Sequence, residues 1–389
     1  MKILIITETF IPSTDGVVTR LKESIRYFMK QGHDVRVVAP DLGVDEFEGA
    51  LIKGVPARRL FFYRSKKFAM PSRRVKGMIE EYQPDIIHVV NPAILGFSGV
   101  YYAKKLQYPL LASYHTQVPK YADYYHLSIF KGLLWWYFRK LHNQADINLC
   151  TSEVVRKELD SQSFQNVHVW KRGVDTTLFH PDKYDANMRE TLTNGQPDKK
   201  LLLYVGRLAP EKEIEKIKEV LEISDQFVLA IVGDGPHRSS LEKHFEGMDV
   251  VFTGFMHGEE LAKAYASSDV FLFPSTTETL GLVITEAMAS GLPIVAAKSG
   301  PTCEQIEDER TGLLYDPLNP QDFTRTILQF EDETLRKRLS KTARSEIADM
   351  GWDEQSKQIL AFYHQVAGIE QENPAKNLSS PSTEKSLRR

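Results

Sequence analysis

The chain has 389 residues, of which 42% are hydrophobic and 26% charged, a soluble globular balance that excludes collagen-like, coiled-coil and wholly disordered classes. Its length points to two domains, and a formal net charge of -3 gives no overall drive toward nucleic acid. That figure covers an imbalance: residues 1–175 hold 25 Lys and Arg against 17 Asp and Glu, a net of +8, and the remainder holds 24 against 35, a net of -11, so each half is expected to meet a different partner.

Lys2–Thr7 is a short, nearly all-apolar run, as expected of a strand buried on both faces. It is far shorter than the apolar core of a signal peptide. Val17–Gln31 carries Val18, Leu21, Ile25 and Phe28 at helical spacing, with Gly32 as a stop. Strands are predicted at Asp34–Ala39, Asp85–Val90, Pro109–Tyr114 and Asp146–Thr151, with a helix over Ala93–Lys105. Strands separated by helices imply parallel βαβ units in a doubly wound sheet. Arg172–Lys200 is rich in Gly, Pro, Asp and Asn and reads as a linker with one short helix.

The alternation then restarts. Strands are predicted at Leu201–Gly206, Phe227–Val232, Val250–Thr253, Val270–Phe273 and Pro293–Ala296. Helices are predicted at Glu211–Ile223, His237–Phe245, Glu259–Ala266 and Leu282–Ser290, and two more, Asp332–Met350 and Asp353–Ala367, end the fold. The expected organisation is an α/β chain of two Rossmann-like, doubly wound domains facing a central cleft. They cover residues 1–180 and 201–352, joined by a linker at 181–200 and followed by a closing helix at 353–370 and a disordered tail at 371–389. No run of ~18 apolar residues is present, so no helical membrane span is expected. The only cysteines, Cys150 and Cys303, form neither a disulfide framework nor a zinc site and suit a reducing compartment.

The chemistry is expected at carboxyl ends of strands. Glu278 and Glu286 flank a predicted helix start at Gly281, Leu282 and Val283. The unsatisfied amides of that first turn and the positive end of the helix dipole make an anion site, with Gly281 allowing close backbone approach. A carboxylate on each side accepts hydrogen bonds from hydroxyls, so the pattern suits a nucleotide sugar: hydroxyls, a diphosphate, then more hydroxyls. Arg207 and Lys212 emerge after the first strand of the second domain, where a phosphate binds in such folds. Gly233 lies in a tight strand-to-helix turn that lacks the third Gly of a dinucleotide fingerprint and is read as a pocket wall. Gly254 and Phe255 place backbone beside a base. Gly16 brings an amide to the first helix start, and His115 follows a strand whose end faces the cleft.

The PSTDGV loop, the YHT strand end, the GRLAPEK loop, the VGDGP turn and the paired glutamates occur here in one order. Together they resemble the family-4 retaining glycosyltransferases of the GT-B fold, over roughly residues 1–370. Thr7-Glu-Thr-Phe, His115-Thr-Gln-Val-Pro-Lys-Tyr121 and Arg172-Gly-Val-Asp175 resemble one subgroup, that of the sulfolipid synthases and of bacterial α-mannosyltransferases acting on lipids. The whole-chain pattern looks closest to the cyanobacterial sulfolipid synthases. Arg172 stands where many members of the wider family have Asn, which supports the subgroup.

The resemblance implies roles. Glu278 would hydrogen-bond the donor sugar, and Glu286 the nucleotide ribose. Arg207 and Lys212 would neutralise the departing diphosphate, helped by the amides of Gly281 to Val283 and of Gly16. His115 would contact and orient the sugar. The family resembles enzymes that retain anomeric configuration without a protein nucleophile, by front-face attack in which a donor phosphate oxygen takes the acceptor proton. Positioning and electrostatic stabilisation of the leaving UDP then carry the rate. No cofactor and no metal are expected, because Arg and Lys stand where other transferases use a divalent ion.

The acceptor side is expected in the basic half. Residues 51–80 hold nine Lys and Arg against one acid, Glu80, with aromatics interleaved, which suits an anionic membrane surface. The same composition suits RNA, but the transferase context argues against nucleic acid. In Tyr121–His142, the adjacent Trp135 and Trp136 point ~100° apart on a helix, so one is expected to meet lipid or acceptor chains. The resulting expectation is a UDP-sugar-dependent transferase peripheral to the cytoplasmic face of a membrane. It would move sulfoquinovose from UDP-sulfoquinovose to diacylglycerol, with Lys120 and Arg172 near the sulfonate. The alternatives are α-mannosyl or glucosyl transfer to a lipid or polyol, a non-hydrolysing UDP-sugar epimerase, and a non-catalytic nucleotide-sugar-binding protein.

Overall fold

The computed structural model describes residues 1–60, 63–116, 128–277 and 281–369. The described residues of the first domain form ten strands: β1 (Lys2–Thr7), β2 (Asp34–Pro40), β3 (Glu46–Phe47), β4 (Ala50–Val55), β5 (Ala57–Leu60), β6 (Tyr63–Ala69), β7 (Ile86–Val90), β8 (Leu110–Ser113), β9 (Ile147–Cys150) and β10 (Val167–Val169). Eight of them form one sheet in the order β10-β9-β8-β7-β1-β2-β4-β3, and β5 and β6 form a separate antiparallel hairpin. All pairs in the large sheet are parallel except β3–β4. Alternation along β1 sends Ile3 and Ile5 to one face and Leu4 and Ile6 to the other, and both faces are covered by helices.

The second domain holds β11 (Lys200–Val205), β12 (Phe227–Val232), β13 (Val250–Gly254), β14 (Val270–Phe273), β15 (Ile294–Ala297) and β16 (Leu313–Tyr315). They form one parallel sheet in the order β13-β12-β11-β14-β15-β16. Leu201 and Leu203 pack on one face, Leu202 and Tyr204 on the other. In the first sheet the strand order reverses between β1 and β7, and in the second between β11 and β14. At such a switch point the connections leave in opposite directions and open a crevice at the carboxyl ends. The loops after β1, β11 and β14 are among those singled out by the motifs.

One expectation needs correction. The predicted helix over Glu211–Ile223 is instead two 3-10 turns, Pro210–Lys212 and Ile214–Ile217, and a short helix, Lys218–Ile223. Glu213 stands between the turns at φ 54°, a left-handed conformation that an α-helix cannot contain. The stretch 181–200 carries the short helix expected of it. It contains a 3-10 turn, Pro181–Lys183, and a helix, Ala186–Leu192, and Leu192 is buried in the second domain's core. The basic stretch 51–80 spans several elements. It divides among β4, the β5–β6 hairpin and the helix Arg74–Tyr82, with Arg58, Arg59, Lys67, Arg73 and Arg74 exposed. The helices Glu153–Ser161 and Pro320–Leu328 and the strands β10 and β16 were absent from the sequence reading. The tail at 371–389 lies outside the described residues.

The last described helix, Trp352–Ala367, leaves the second domain and packs against the helix Gly16–Lys30 of the first, burying Ile359 and Tyr363. It also ties down the chain that crosses between domains. The Lys171 N–H donates to Gln358 Oε1 at 2.8 Å, and Gln358 Nε2 donates to the Val169 carbonyl at 3.0 Å. A Cβ on Gly173 would stand 2.6 Å from the Trp352 ring, so that crossing requires glycine for a close approach.

Candidate active site

The helix Leu282–Ala289 begins at Gly281, whose φ of 58° and ψ of 51° are left-handed, and no side chain among the described residues caps it. Its first N–H groups therefore stay available to a ligand, with the positive end of the helix behind them. Across the cleft stands the start of Gly16–Lys30: a Cβ on Gly16 would lie 3.4 Å from Leu282 Cδ1. The fold thus brings Gly16 together with Gly281, Leu282 and Val283, as the motifs predicted. Asp15 caps that first helix by accepting the Val18 N–H at 3.1 Å, so only the earlier amides there remain for an anion. The N-terminus of Leu95–Lys105, by contrast, is filled by Glu8. Its carboxylate accepts the N–H groups of Ala93, Ile94, Leu95 and Gly96 at 2.7–3.1 Å. Burial pushes Glu8 up in pKa, against the pull of those four donors.

Glu286 sits on the fifth residue of its helix, where the Tyr265 hydroxyl donates to its Oε2 at 2.9 Å. Burial raises the Glu286 carboxyl to about 7, opposed by that hydrogen bond. The same neighbourhood pushes the Tyr265 phenol far up, so it stays a donor. Sequence reasoning missed Tyr265, because it lies 21 residues away in an ordinary amphipathic helix. Glu278, the other half of the pair, lies outside the described residues, as does Lys120.

Arg207 follows β11 at the switch point and forms an ion pair with Glu211, whose carboxylate is buried. The motif had presented Arg207 and Lys212 as two cations. The structure adds a carboxylate that holds the first in place, and Lys212 closes the 3-10 turn Pro210–Lys212 beside it. Gly233 supports this loop. At φ 135° a Cβ there would stand 2.0 Å from the Gly206 carbonyl oxygen, and its N–H donates to the Gly254 carbonyl at 2.7 Å. Gly254 is left-handed at φ 78°, and Phe255 beyond it is exposed, its ring stacked 6.1 Å from that of His257.

His115 follows β8 and is buried. Burial, then the charge of Arg20, holds its imidazole well below the usual histidine range, so it is neutral at physiological pH. Arg172 is half-buried, and burial lowers its pKa while Glu304 across the domain boundary raises it. Arg20 lies near it, fully buried, stacked 3.6 Å from the Trp170 ring and donating to the carbonyls of Trp170 and Lys171. Among the described residues no group of three or more His, Cys, Asp or Glu side chains is placed to hold a metal ion.

Two doubly wound domains meeting along the carboxyl ends of their strands, with an uncapped helix start in the cleft, define the GT-B class. Residues 14–178 match the glycosyltransferase family 4 and residues 190–346 the glycosyl transferases group 1. A sulfoquinovosyl transferase of Arabidopsis thaliana is 38% identical over 87% of this chain and 68% of its own length. A GDP-mannose-dependent alpha-mannosyltransferase of Mycolicibacterium smegmatis is 33% identical over 95% of this chain and 98% of its own. An alpha-monoglucosyldiacylglycerol synthase of Streptococcus pneumoniae is 31% identical over 81% of this chain and 75% of its own. The sucrose-phosphate synthase of Thermosynechococcus elongatus shares the fold, with a TM-score of 0.78, 21% identity and cover of 95% of this chain and 100% of that one. The chain belongs to the family-4 glycosyltransferases.

Proposed function

We propose that this glycosyltransferase moves sulfoquinovose from UDP-sulfoquinovose to diacylglycerol at a membrane surface, with retention and without a metal. The carrying observation is the uncapped helix start at Gly281, with Glu286 inside it, Arg207 beside it and Gly16 facing it. Helix-start amides and cations suit a diphosphate, and Glu286 suits ribose hydroxyls. Arg207 and Lys212 stabilise the leaving diphosphate in place of a divalent ion. Glu278 and His115 hold the sugar, and Lys120 and Arg172 face its sulfonate. The sulfoquinovosyl transferase and the diacylglycerol glucoside synthase among the relatives support donor and acceptor.

The acceptor is expected to arrive from a membrane. No helix among the described residues is long and apolar enough to cross one. The helix Lys131–His142 and the turn before it carry an outward apolar stripe: Ile129 is 88% exposed, Phe130 48%, Leu133 59% and Trp136 48%. Trp135, next in the chain to Trp136, turns inward and stacks on Tyr114 at 6.5 Å, so the two indoles part as the helical spacing predicted. Lys131, Arg139 and Lys140 flank the stripe, which suits an anionic bilayer. Leu133→Ser with Trp136→Ser is expected to weaken flotation with anionic liposomes at least ~10-fold. Unchanged flotation would remove this surface from the proposal.

The decisive assay follows nucleoside diphosphate release from UDP-sulfoquinovose, UDP-glucose and GDP-mannose, with and without diacylglycerol. Diacylglycerol-dependent release from UDP-sulfoquinovose alone is the expected result. Release from GDP-mannose alone would favour a mannosyl transfer, which the full-length mannosyltransferase relative supports. No lipid-dependent release from any donor would sink the proposal.

A further inference from the structure

We propose that Arg20 is a specificity-determining residue for the donor sugar: with Arg172 it forms a pair of cations that lacks a protein counter-charge, and an anionic group on the sugar completes it. This rests on the function proposed above for the identity of that anion, a sulfonate.

Arg20 lies one helical turn after Gly16 and is fully buried. Its guanidinium stacks on the Trp170 ring, and its Nη2 donates to the carbonyls of Trp170 and Lys171. Among the described residues its Nε and Nη1 have no hydrogen-bond partner. Burial, then the charge of Arg172, lowers its pKa, yet a guanidinium keeps its proton inside a protein. A buried cation with donors to spare and no anion is strongly unfavourable. Its neighbours do not offset it. The Cys150 thiol is pushed up to about 12, chiefly by burial, and is neutral. Arg172 is a second cation, half-buried. The acid that acts on Arg172 is Glu304, whose carboxylate already accepts the N–H groups of Glu153 and Val154.

The placement favours the sugar over the diphosphate. The groups assigned above to the diphosphate, the Gly281 helix start with Arg207 and Lys212, belong mainly to the second domain. Arg20 and Arg172 belong to the first domain and to the chain that leaves it. The charge of Arg20 acts on His88, on β7, and on His115, just after β8. The Trp170 ring beneath it lies 5.6 Å from the His115 ring and is fixed by its Nε1, which donates to the Gln355 carbonyl at 3.3 Å. His115 is the residue assigned to the sugar. In a low-dielectric site two uncompensated cations separate an anionic sugar from a neutral one far more strongly than they would in water. Arg172 is the member open to the ligand. Arg20 adds charge behind it and pins the Lys171 backbone that carries it.

The test measures binding to the full chain by calorimetry, without acceptor, for UDP, UDP-glucose and UDP-sulfoquinovose. The parent is expected to bind UDP-sulfoquinovose about 10- to 100-fold more tightly than UDP-glucose. Arg20→Gln and Arg172→Gln are expected to bring that ratio close to one, and Arg172→Lys to restore part of it. A purely structural role weakens both donors together and leaves the ratio unmoved. Thermal unfolding checks each variant, and Arg20→Met, which keeps a stem against Trp170, repeats the test if Arg20→Gln does not fold. A parent ratio near one, or an unchanged ratio in a folded Arg20 variant, would overturn the proposal. So would equal weakening of UDP and both donors, which places the pair at the diphosphate, and failure of both Arg20 variants to fold, which assigns Arg20 to the fold. A preference that falls in the variants, without transfer to diacylglycerol by the parent, would instead overturn the transfer reading and leave the cation pair standing.

Discussion

Glu286→Gln is expected to stabilise the protein above pH 7 and at the same time to weaken donor binding. The carboxyl has a folded pKa of about 7 against 4.5 when unfolded, because burial penalises its charge. The folded state therefore keeps a proton that the unfolded state releases, and stability falls as pH rises from about 4.5 to about 7. Below that window the group costs nothing; above it the full penalty applies. At 1.36 kcal/mol per unit the penalty is up to about 3 kcal/mol, reduced because Glu286 is only half-buried. Gln keeps an oxygen for the Tyr265 hydroxyl and carries no charge. The variant should match the parent near pH 4.5 and exceed its thermal midpoint at pH 8. A carboxylate accepts two ribose hydroxyls and an amide accepts one, so donor KM should rise about 10- to 100-fold. A parent midpoint that does not fall between pH 5 and 8 would refute the stability claim. An unchanged donor KM would remove Glu286 from the donor site.

Arg207→Ala is expected to lower kcat about 10²- to 10³-fold, the typical effect of removing one preorganised charge stabiliser. It should also cost roughly 3 kcal/mol or more of stability, since it strips the partner from the buried Glu211 carboxylate. The two effects separate in the double variant Arg207→Ala with Glu211→Gln. Stability should recover, as measured by urea unfolding, because no charge is left buried without its partner. Activity should stay low, because the cation is still missing. Recovery of kcat in the double variant would mean that Arg207 serves the fold and not the diphosphate. Arg207→Lys should fall between, since an ammonium supplies charge without the guanidinium's paired donors.

Sequence alone determined the class of this protein. Its strands are buried on both faces and read as apolar runs, its helices alternate with them, and the glycines after them mark turns. These are local properties carried by neighbours within a few residues. The paired glutamates, the Arg207 loop and the Gly16 loop were legible for the same reason, as each spans under ten residues. The charge split between halves was also legible, but not the surface that bears it. Only the tertiary structure divided residues 51–80 among three elements and turned Trp136 outward while Trp135 faced the core.

The partners that tune the site were invisible in sequence. Tyr265 stands on a helix that looks merely amphipathic, and Glu211 was read as a helix start. Glu8 sits in a short turn and reaches four amides more than 80 residues away. His88 and Tyr363 meet across 275 residues, each inside a run that reads as core. A buried polar side chain looks like a fault in an apolar pattern until its partner is seen. What completes it comes from another strand or helix, and only the packing of one element on another brings the two within hydrogen-bond reach.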